Sequence, residues 1–498
     1  MMGFFAAIIA VAGATLAGRA LLSFLERVLR VGHTARPRAE VWGLSILLGM
    51  AFTAAAAFVW SDLGGPLNAR FSWGQAALGL VAGMVTIIVQ RRSAPRDLAP
   101  VSPSPHAPGA LARACQIGIG VMIALAFVQT LLTPQRFWDE RAIFAIKARV
   151  LFEAGTIDAP ELRHPDFVQY HPSYPLLIPL LERHVYALCG EVHDRWAKVW
   201  FPLMYAGLVL SFAGVLSRRT SPDEGWLMAT LLATVPVLLP DDYGFLSAQA
   251  DAPMACFHGV AVLLLWDCFQ APPGGSRRRS LFLAASIAAS AVFVKDEGKA
   301  FLLVDLLSWG LALLLGGGRL GDVPAGEGRL RSVGRHLVAM VAFALIAAVL
   351  LTPWTLHQRT LPTTTEMHYF ERLDAGRLIN RLSTLRWSIP HLLHRMFGEW
   401  KTWGLPWWLV LLALVTAPRR SVAGPQLFLL LNLLGALAAF VMAGMLAPAE
   451  LEEHLGGSSS RYLMQLVPVA VLFVAGVWSR SGEGLVSHAP LRSESPSA

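Results

Sequence analysis

The chain has 498 residues, 55% of them hydrophobic and only 15% charged, with a net charge of +8. Soluble domains carry about a quarter charged residues. This composition, with a mean hydropathy of +0.53, therefore excludes a soluble enzyme, a disordered chain, a collagen and a disulfide scaffold. Its apolar residues come in long blocks, which leaves an all-α polytopic membrane protein. The arginines lie in short loops between those blocks, an arrangement that argues against nucleic acid as a partner. The four cysteines (Cys115, Cys189, Cys256, Cys268) lie in or beside apolar segments without metal-ligand spacing, and read as small buried hydrophobes.

A helix crosses the hydrocarbon core with about 20 apolar residues. Met1 to Gly18 is apolar but lacks the positive start of a secretory signal, so it reads as the first span. Blocks near 41–60 and 73–90 complete an N-terminal three-helix extension over residues 1–90. Residues 91–113 are rich in proline and serine (Ser102-Pro103-Ser104-Pro105) and read as a cytoplasmic linker. The main membrane domain, 114–480, holds blocks near 114–133, 197–217, 225–240, 252–268, 280–294, 300–316, 337–354, 403–417, 424–446 and 462–479, for thirteen spans in all. Residues 481–498 form a polar tail, read as disordered and cytoplasmic.

Short cytoplasmic loops collect Lys and Arg. The clusters Arg27/Arg30/Arg36/Arg38, Arg91/Arg92/Arg96, Arg218/Arg219, Arg277/Arg278/Arg279, Arg329/Arg331/Arg335, Arg419/Arg420 and the tail from Arg480 fall in alternate loops. This places the N-terminus outside and the C-terminus inside. The outer loops then hold Asp139/Glu140, Asp241/Asp242, Asp251, Asp296/Glu297 and Glu450/Glu452/Glu453, several of them at helix mouths. Two outer segments, 134–195 and 355–402, are long, and long ordered loops are usually functional. The chemistry is expected on this face. The chain shows no internal repeat of the kind that marks an inverted-repeat transporter.

Each candidate residue carries a plain reading beside the functional one. Asp139-Glu140 follows the fourth span, where desolvation and like charge can raise a carboxylate pKa and suit it to general-base work; acids also simply favour a helix N-terminus. Ile143, Ile146, Val150 and Leu151, with Lys147 and Arg149 between them, describe an interfacial helix. Leu176–Cys189 looks similar, because Glu182, Arg183 and His184 make a crossing expensive. Between the two, Tyr170-His171-Pro172-Ser173-Tyr174-Pro175 is a stiff turn whose His171 could bind metal or phosphate, or merely cap. Asp251, two residues before Pro253, is a helix start or a site acid. Lys295 either snorkels or meets a phosphate. Arg461 at an outer helix mouth runs against the positive-inside trend, which an anionic lipid headgroup would explain. His357, Arg359 and His368 are weaker candidates for the same phosphate or a metal. Asp305 and His258 lie within spans, as functional groups or as packing partners.

Together these pieces resemble the GT-C glycosyltransferases, in particular the dolichyl-phosphate-mannose protein mannosyltransferases and the bacterial lipid A aminoarabinose transferases. The resemblance covers about residues 114–480. Its elements are the acidic pair Asp139-Glu140 after the first core helix, the Pro-containing turn at His171–Leu176, and Asp251 in Ala250-Asp251-Ala252-Pro253. They continue with Lys295-Asp296-Glu297-Gly298 between two spans and Arg461-Tyr462 before the last helix. Where the aminoarabinose branch has an acidic metal ligand, this chain has Tyr170-His171. The first three spans have no counterpart.

The resemblance implies an inverting transfer of a sugar from a polyprenyl-phosphate donor to an acceptor hydroxyl on a glycolipid, polysaccharide or protein. Asp139 would be the general base, with Glu140, Asp251 and His171 positioning the acceptor or a metal. Lys295, Arg461 and Arg359 would face the donor phosphate, and a divalent metal ion stays open as a cofactor. Competing readings are a glycan ligase or polymerase using a polyprenyl diphosphate, a lipid-linked sugar transporter, and a scaffold. The Arg-rich, Ala-rich composition suggests a GC-rich bacterium, hence the inner membrane with a periplasmic active site.

Overall fold

The computed structural model describes residues 2–31, 36–92, 108–240, 242–272, 274–316, 320, 328–363, 372, 374–447 and 451–479. Asp241, His368, Glu450, most of the 91–113 linker and the tail from Arg480 lie outside the described residues. Every regular element among the described residues is helical. The chain opens with α1 (Met2–Val28), α2 (Arg38–Asp62), α3 (Ala69–Arg92) and α4 (Ala110–Leu132). Short pieces follow: a π-helical turn at Asp139–Ala145, α5 (Ile146–Ala154), α6 (Pro160–Arg163), a 3-10 helix at Pro165–Tyr170 and α7 (Leu177–Cys189). The centre comprises α8 (Trp200–Arg219), α9 (Pro222–Ala233), α10 (Asp251–Gln270), α11 (Gly275–Val294), α12 (Glu297–Leu315) and α13 (Arg329–Gln358). A second run of short pieces, α14 (Ala375–Arg381), α15 (Leu385–Leu393), α16 (Trp400–Trp403), α17 (Pro406–Thr416) and α18 (Pro418–Ser421), precedes α19 (Gly424–Leu446) and α20 (Leu451–Trp478).

Ten helices among the described residues (α1–α4, α8, α10, α12, α13, α19 and α20) are long and apolar enough to cross a membrane. The protein is an all-α, multi-pass membrane protein. The other three predicted blocks are α9, α11 and α17. α9 stops after 12 residues, a rise of about 18 Å against roughly 30 Å of hydrocarbon. Pro236 holds Val235 extended and ends it. α17 has 11 residues and stops ahead of Pro418. α11 has 20, but three arginines stand among its first five residues. The last helix starts eleven residues before the predicted block at 462, at Leu451. Buried Leu455 and Ser459 on the core side carry helix through Gly456-Gly457, where local propensity alone favours a loop.

Side-chain contacts gather the helix termini into two ends. At one end Glu40, fully buried, accepts from Arg36 at 2.9 Å, Arg218 at 2.8 Å and Arg279 at 3.2 Å. Asp267 beside it takes Arg218 at 3.0 Å, Arg219 at 2.6 Å and the Ser280 hydroxyl at 2.6 Å. α2 and α8 approach closely enough for this because Gly214 has no side chain; a Cβ there would strike the Glu40 backbone. Asp223 fixes the start of α4 to the same end, accepting from the backbone N–H of Gly109 and Ala112. The opposite end carries Asp139, Asp251, Lys295 and Gln358.

α7 is enclosed rather than half-exposed: all 13 of its residues are buried, Glu182, Arg183 and His184 included. It packs against α1, α2, α3, α5 and α11. Arg183 donates to Ser72 Oγ at 2.8 Å and to the carbonyls of Leu67 and Asn68, so the α2–α3 connection clasps it directly. Leu67 N–H in turn donates to Gly155 O at 2.7 Å, and Ile157 N–H to Ser61 Oγ at 2.9 Å. The N-terminal helices thus hold the first long connecting segment in place.

Candidate active site at the helix mouths

Asp139 opens the π-helical turn, Asp251 opens α10, Lys295 closes α11, and Arg461 lies on α20. The fold brings all four together. Asp251 is the centre: fully buried, it binds Arg461 through Oδ2 (2.8 Å from Nε, 2.6 Å from Nη2) and Lys295 through Oδ1 at 2.8 Å. Gln465, one turn along α20 from Arg461, donates to the same Oδ1 at 3.2 Å. Arg461 then reaches Asp139 Oδ2 at 2.7 Å, and Lys295 reaches Glu297 Oε1 at 2.7 Å. Burial works against a charged Lys295, yet the Asp251 and Glu297 carboxylates outweigh it and hold its pKa above the ordinary lysine value.

Exposure separates the roles. The Asp139 and Arg461 side chains are 22% and 33% exposed, Lys295 11%, and Asp251 0%. Of the two acids on Arg461, Asp139 is the one that water and a substrate can reach, while Asp251 is an internal anchor for two cations; Glu297, on Lys295, is 37% exposed.

Glu140 points the other way. It is fully buried and accepts from the backbone N–H of Arg136 at 2.6 Å, Phe137 at 3.0 Å and Ala248 at 2.8 Å, with Lys198 Nζ at 3.7 Å. These bonds fasten the π-helical turn to the segment that leads into α10, and so set Asp139 opposite Arg461. Behind it Glu182, buried and beside Glu140, has a pKa well above the usual carboxylate range, with Gln135 donating to it at 2.6 Å.

His171 sits in the turn that follows the 3-10 helix, in the left-handed region (φ 49°), stacked on Tyr174 at 4.7 Å. The turn is pinned from beneath by Lys147, whose Nζ donates to His171 O at 3.0 Å and Tyr174 O at 3.5 Å. Lys147 is fully buried, and burial, opposed by Asp296, brings its pKa down to about 7. Gln358 at the end of α13 donates to Ser173 O at 2.7 Å and to Asp296 at 3.1 Å, joining turn and cluster. Arg359, the next residue, is exposed and has no ion-pair partner among the described residues. His357 is buried 3.8 Å from Asp158.

The two intramembrane candidates find each other: His258 Nε2 lies 3.3 Å from Asp305 Oδ1, and Asn432 donates to that oxygen at 2.7 Å. This triad joins α10, α12 and α19. Among the described residues no group of three His, Cys, Asp or Glu stands close enough to hold a metal ion. The cluster carboxylates Asp139, Asp251 and Glu297 are each engaged by a cation.

Sequence reasoning set Lys147 on the charged side of an interfacial helix, whereas the structure buries it fully; Ile143, Lys147 and Leu151 are spaced by four and share a helix face, which puts the lysine in an otherwise buried stripe. Compared with known proteins, the chain matches no family model and no curated protein sequence.

Proposed function

We propose that the protein is an inverting glycosyltransferase that moves a sugar from a polyprenyl-phosphate donor to an acceptor hydroxyl. The observation that carries this reading is the Asp139–Arg461–Asp251–Lys295 chain, where an accessible carboxylate adjoins Arg461 and a buried acid holds that cation beside a second one. The acceptor oxygen attacks the anomeric carbon while its proton passes to Asp139. The bond from that carbon to the phosphate oxygen breaks with its electron pair remaining on the phosphate, which leaves as polyprenyl phosphate. Arg461 and Lys295 stabilise the developing charge, the effect that is often largest in catalysis. A phosphate leaving group needs no general acid, whereas a glycosidase needs two carboxylates at a defined separation.

Arg461 occupies one carboxylate oxygen of Asp139, where the acceptor hydroxyl would bind. The donor phosphate competes for the guanidinium, draws it off Asp139 and so frees that oxygen for the acceptor hydroxyl when the donor is seated. Glu140 acts at one remove, by orienting Asp139. A preassembled diphosphate-linked glycan would want several further free cations; Arg359 is one, but Arg381 donates to the carbonyls of Met445 and Ala447, and Arg395 to Glu399. A transport path would want polar groups lining an opening, yet His258 and Asp305 are about 1% exposed and bonded to each other.

On this reading the chain makes thirteen passes, with α9 followed by the 3-10 helix Pro236–Leu238, α11 and α17 added to the ten long helices. The arginine clusters then sit cytoplasmic and the Asp139 end periplasmic in a bacterial inner membrane. All four native cysteines are buried, so single cysteines introduced at exposed Glu161 and Arg92 report sidedness with an impermeant maleimide. Labelling of Arg92→Cys rather than Glu161→Cys in intact spheroplasts would reverse the orientation.

The transferase reading is tested by incubating purified protein with radiolabelled polyprenyl-phosphate sugars and a host lipid extract, beside Asp139→Asn. Label should reach an acceptor with the unmodified protein alone. Label that only crosses the bilayer of reconstituted vesicles would make it a transporter instead.

A further inference from the structure

Beside the pinned turn lies a cavity of about 520 Å³, lined by Pro160, Glu161, His164, Asp166, Phe167, Gln169 and Tyr170. That volume falls within the range of small-molecule sites, roughly 300–1,000 Å³. Its walls are unusual for a protein with so much aliphatic surface: no aliphatic side chain other than Pro160 takes part. The apolar area comes from two rings, Phe167 and Tyr170, with centroids 5.0 Å apart and planes inclined at 55°. The polar area comes from two carboxylates, an amide and an imidazole.

We infer that this cavity binds a saccharide free of acidic groups, as the acceptor subsite of the proposed transferase. The inference rests on the transferase reading for its role, though not for its ligand chemistry. A pyranose has a face of C–H groups and a rim of hydroxyls. The C–H face stacks on an aromatic ring, whose π face is electron-rich, and the hydroxyls donate to carboxylates and to an amide oxygen. Glu161 and Asp166 are exposed acceptors at the rim. The lining contains no lysine or arginine, and neighbouring Arg163 is held by Asp158 at 2.5 Å. Phosphorylated or carboxylated ligands would meet two carboxylates, with the His164 imidazole 3.6 Å from Asp166 as the one basic group in the lining, so the site selects against them. An acyl chain would find too few aliphatic contacts.

Position supplies the link to the chemistry. The wall residue Tyr170 runs directly into the His171–Tyr174 turn, held by Lys147 on one side and by Gln358 on the other. Gln358 also bonds Asp296, next to Lys295. A sugar seated here is therefore registered against the cluster through a turn fixed at both edges.

The test applies the full-length protein in detergent to an array of neutral, amino and acidic oligosaccharides, as wild type, Glu161→Gln, Tyr170→Ala and Asp139→Asn. Neutral or amino oligosaccharides should be retained by the wild type and by Asp139→Asn. Retention should fall at least tenfold in Glu161→Gln and Tyr170→Ala, with melting midpoints unchanged. In the transfer assay the same two variants should raise KM for the acceptor at least tenfold with kcat held. Retention of acidic glycans alone, no retention of any glycan, or retention indifferent to both variants would overturn the site. Glycan retention without transfer from any donor would leave the saccharide site standing and remove the transferase reading; transfer with an unchanged acceptor KM would do the reverse.

Discussion

Asp139 and Arg461 are 322 residues apart in the chain and meet at 2.7 Å. The pairing makes the proposed base dependent on its neighbour's other partner, because Arg461 covers the Asp139 oxygen that the acceptor hydroxyl would approach. Asp139→Asn keeps the shape and removes the base. Transfer should fall about 10²–10⁴-fold, the usual range for a general base, while donor retention measured with labelled polyprenyl-phosphate sugar stays within about twofold. Full activity in this variant would end the mechanism.

Asp251 holds two cations in a buried position, and removing one partner of such a set costs about 3–5 kcal/mol. Asp251→Asn should lower the thermal unfolding midpoint and abolish transfer together. Asp251→Asn combined with Lys295→Met should destabilise less than the sum of the two single changes, since each leaves the other group unpaired. Additive losses would mean that the 2.8 Å contact carries little energy.

Two buried groups give opposite pH signatures. Lys147 has a folded pKa of about 7 against an ordinary 10.5. Between those values the unfolded chain binds the proton and the folded one does not, so this residue makes stability rise with pH, by at most about 1.4 kcal/mol per unit. Glu182 is raised well above 4.5; from there up to its folded pKa the folded chain holds the proton, and stability falls as pH rises. Lys147→Met should flatten the unfolding profile above pH 7, and Glu182→Gln should remove a decline that begins near pH 4.5. Profiles unchanged in both variants would contradict the assignments.

Glu40 tests whether the arginine end is structural. Glu40→Gln removes one carboxylate from Arg36, Arg218 and Arg279, which keep Glu26, Asp267 and Glu26, and should cost less in unfolding than the about 3–5 kcal/mol of a fully unpaired buried charge. The folded fraction should keep its kcat, because the Asp139 cluster lies at the other end. A lost kcat with an intact melting midpoint would show coupling between the two ends.

The helical bundle was legible because a 20-residue apolar block has few alternatives. The site acids and cations were legible one at a time, since Asp139, Asp251 and Lys295 each interrupt apolar sequence at a helix terminus. Their pairing was not, because contacts between Arg461 and Asp139 or Asp251 are set by helix packing rather than by local pattern. Glu140 and Asp139 look equivalent in sequence; only the backbone N–H groups of Arg136, Phe137 and Ala248 distinguish them. The arginine clusters were read for sidedness alone. Glu26, Glu40 and Asp267, the acids that neutralise several of those arginines, lie in separate helices with no sequence cue to join them.

Enclosure of α7 bears on how the chain is made. Its Glu182-Arg183-His184 run cannot rest in lipid unaided, and the residues that clasp Arg183 belong to the α2–α3 connection. Ribosomes deliver that connection first, and N-terminal units fold first during synthesis. The three leading helices therefore act as a cradle that is waiting in the membrane when α7 emerges. A chain begun after residue 90 would expose a buried arginine to the bilayer, and the cell's quality control would meet it before any substrate did.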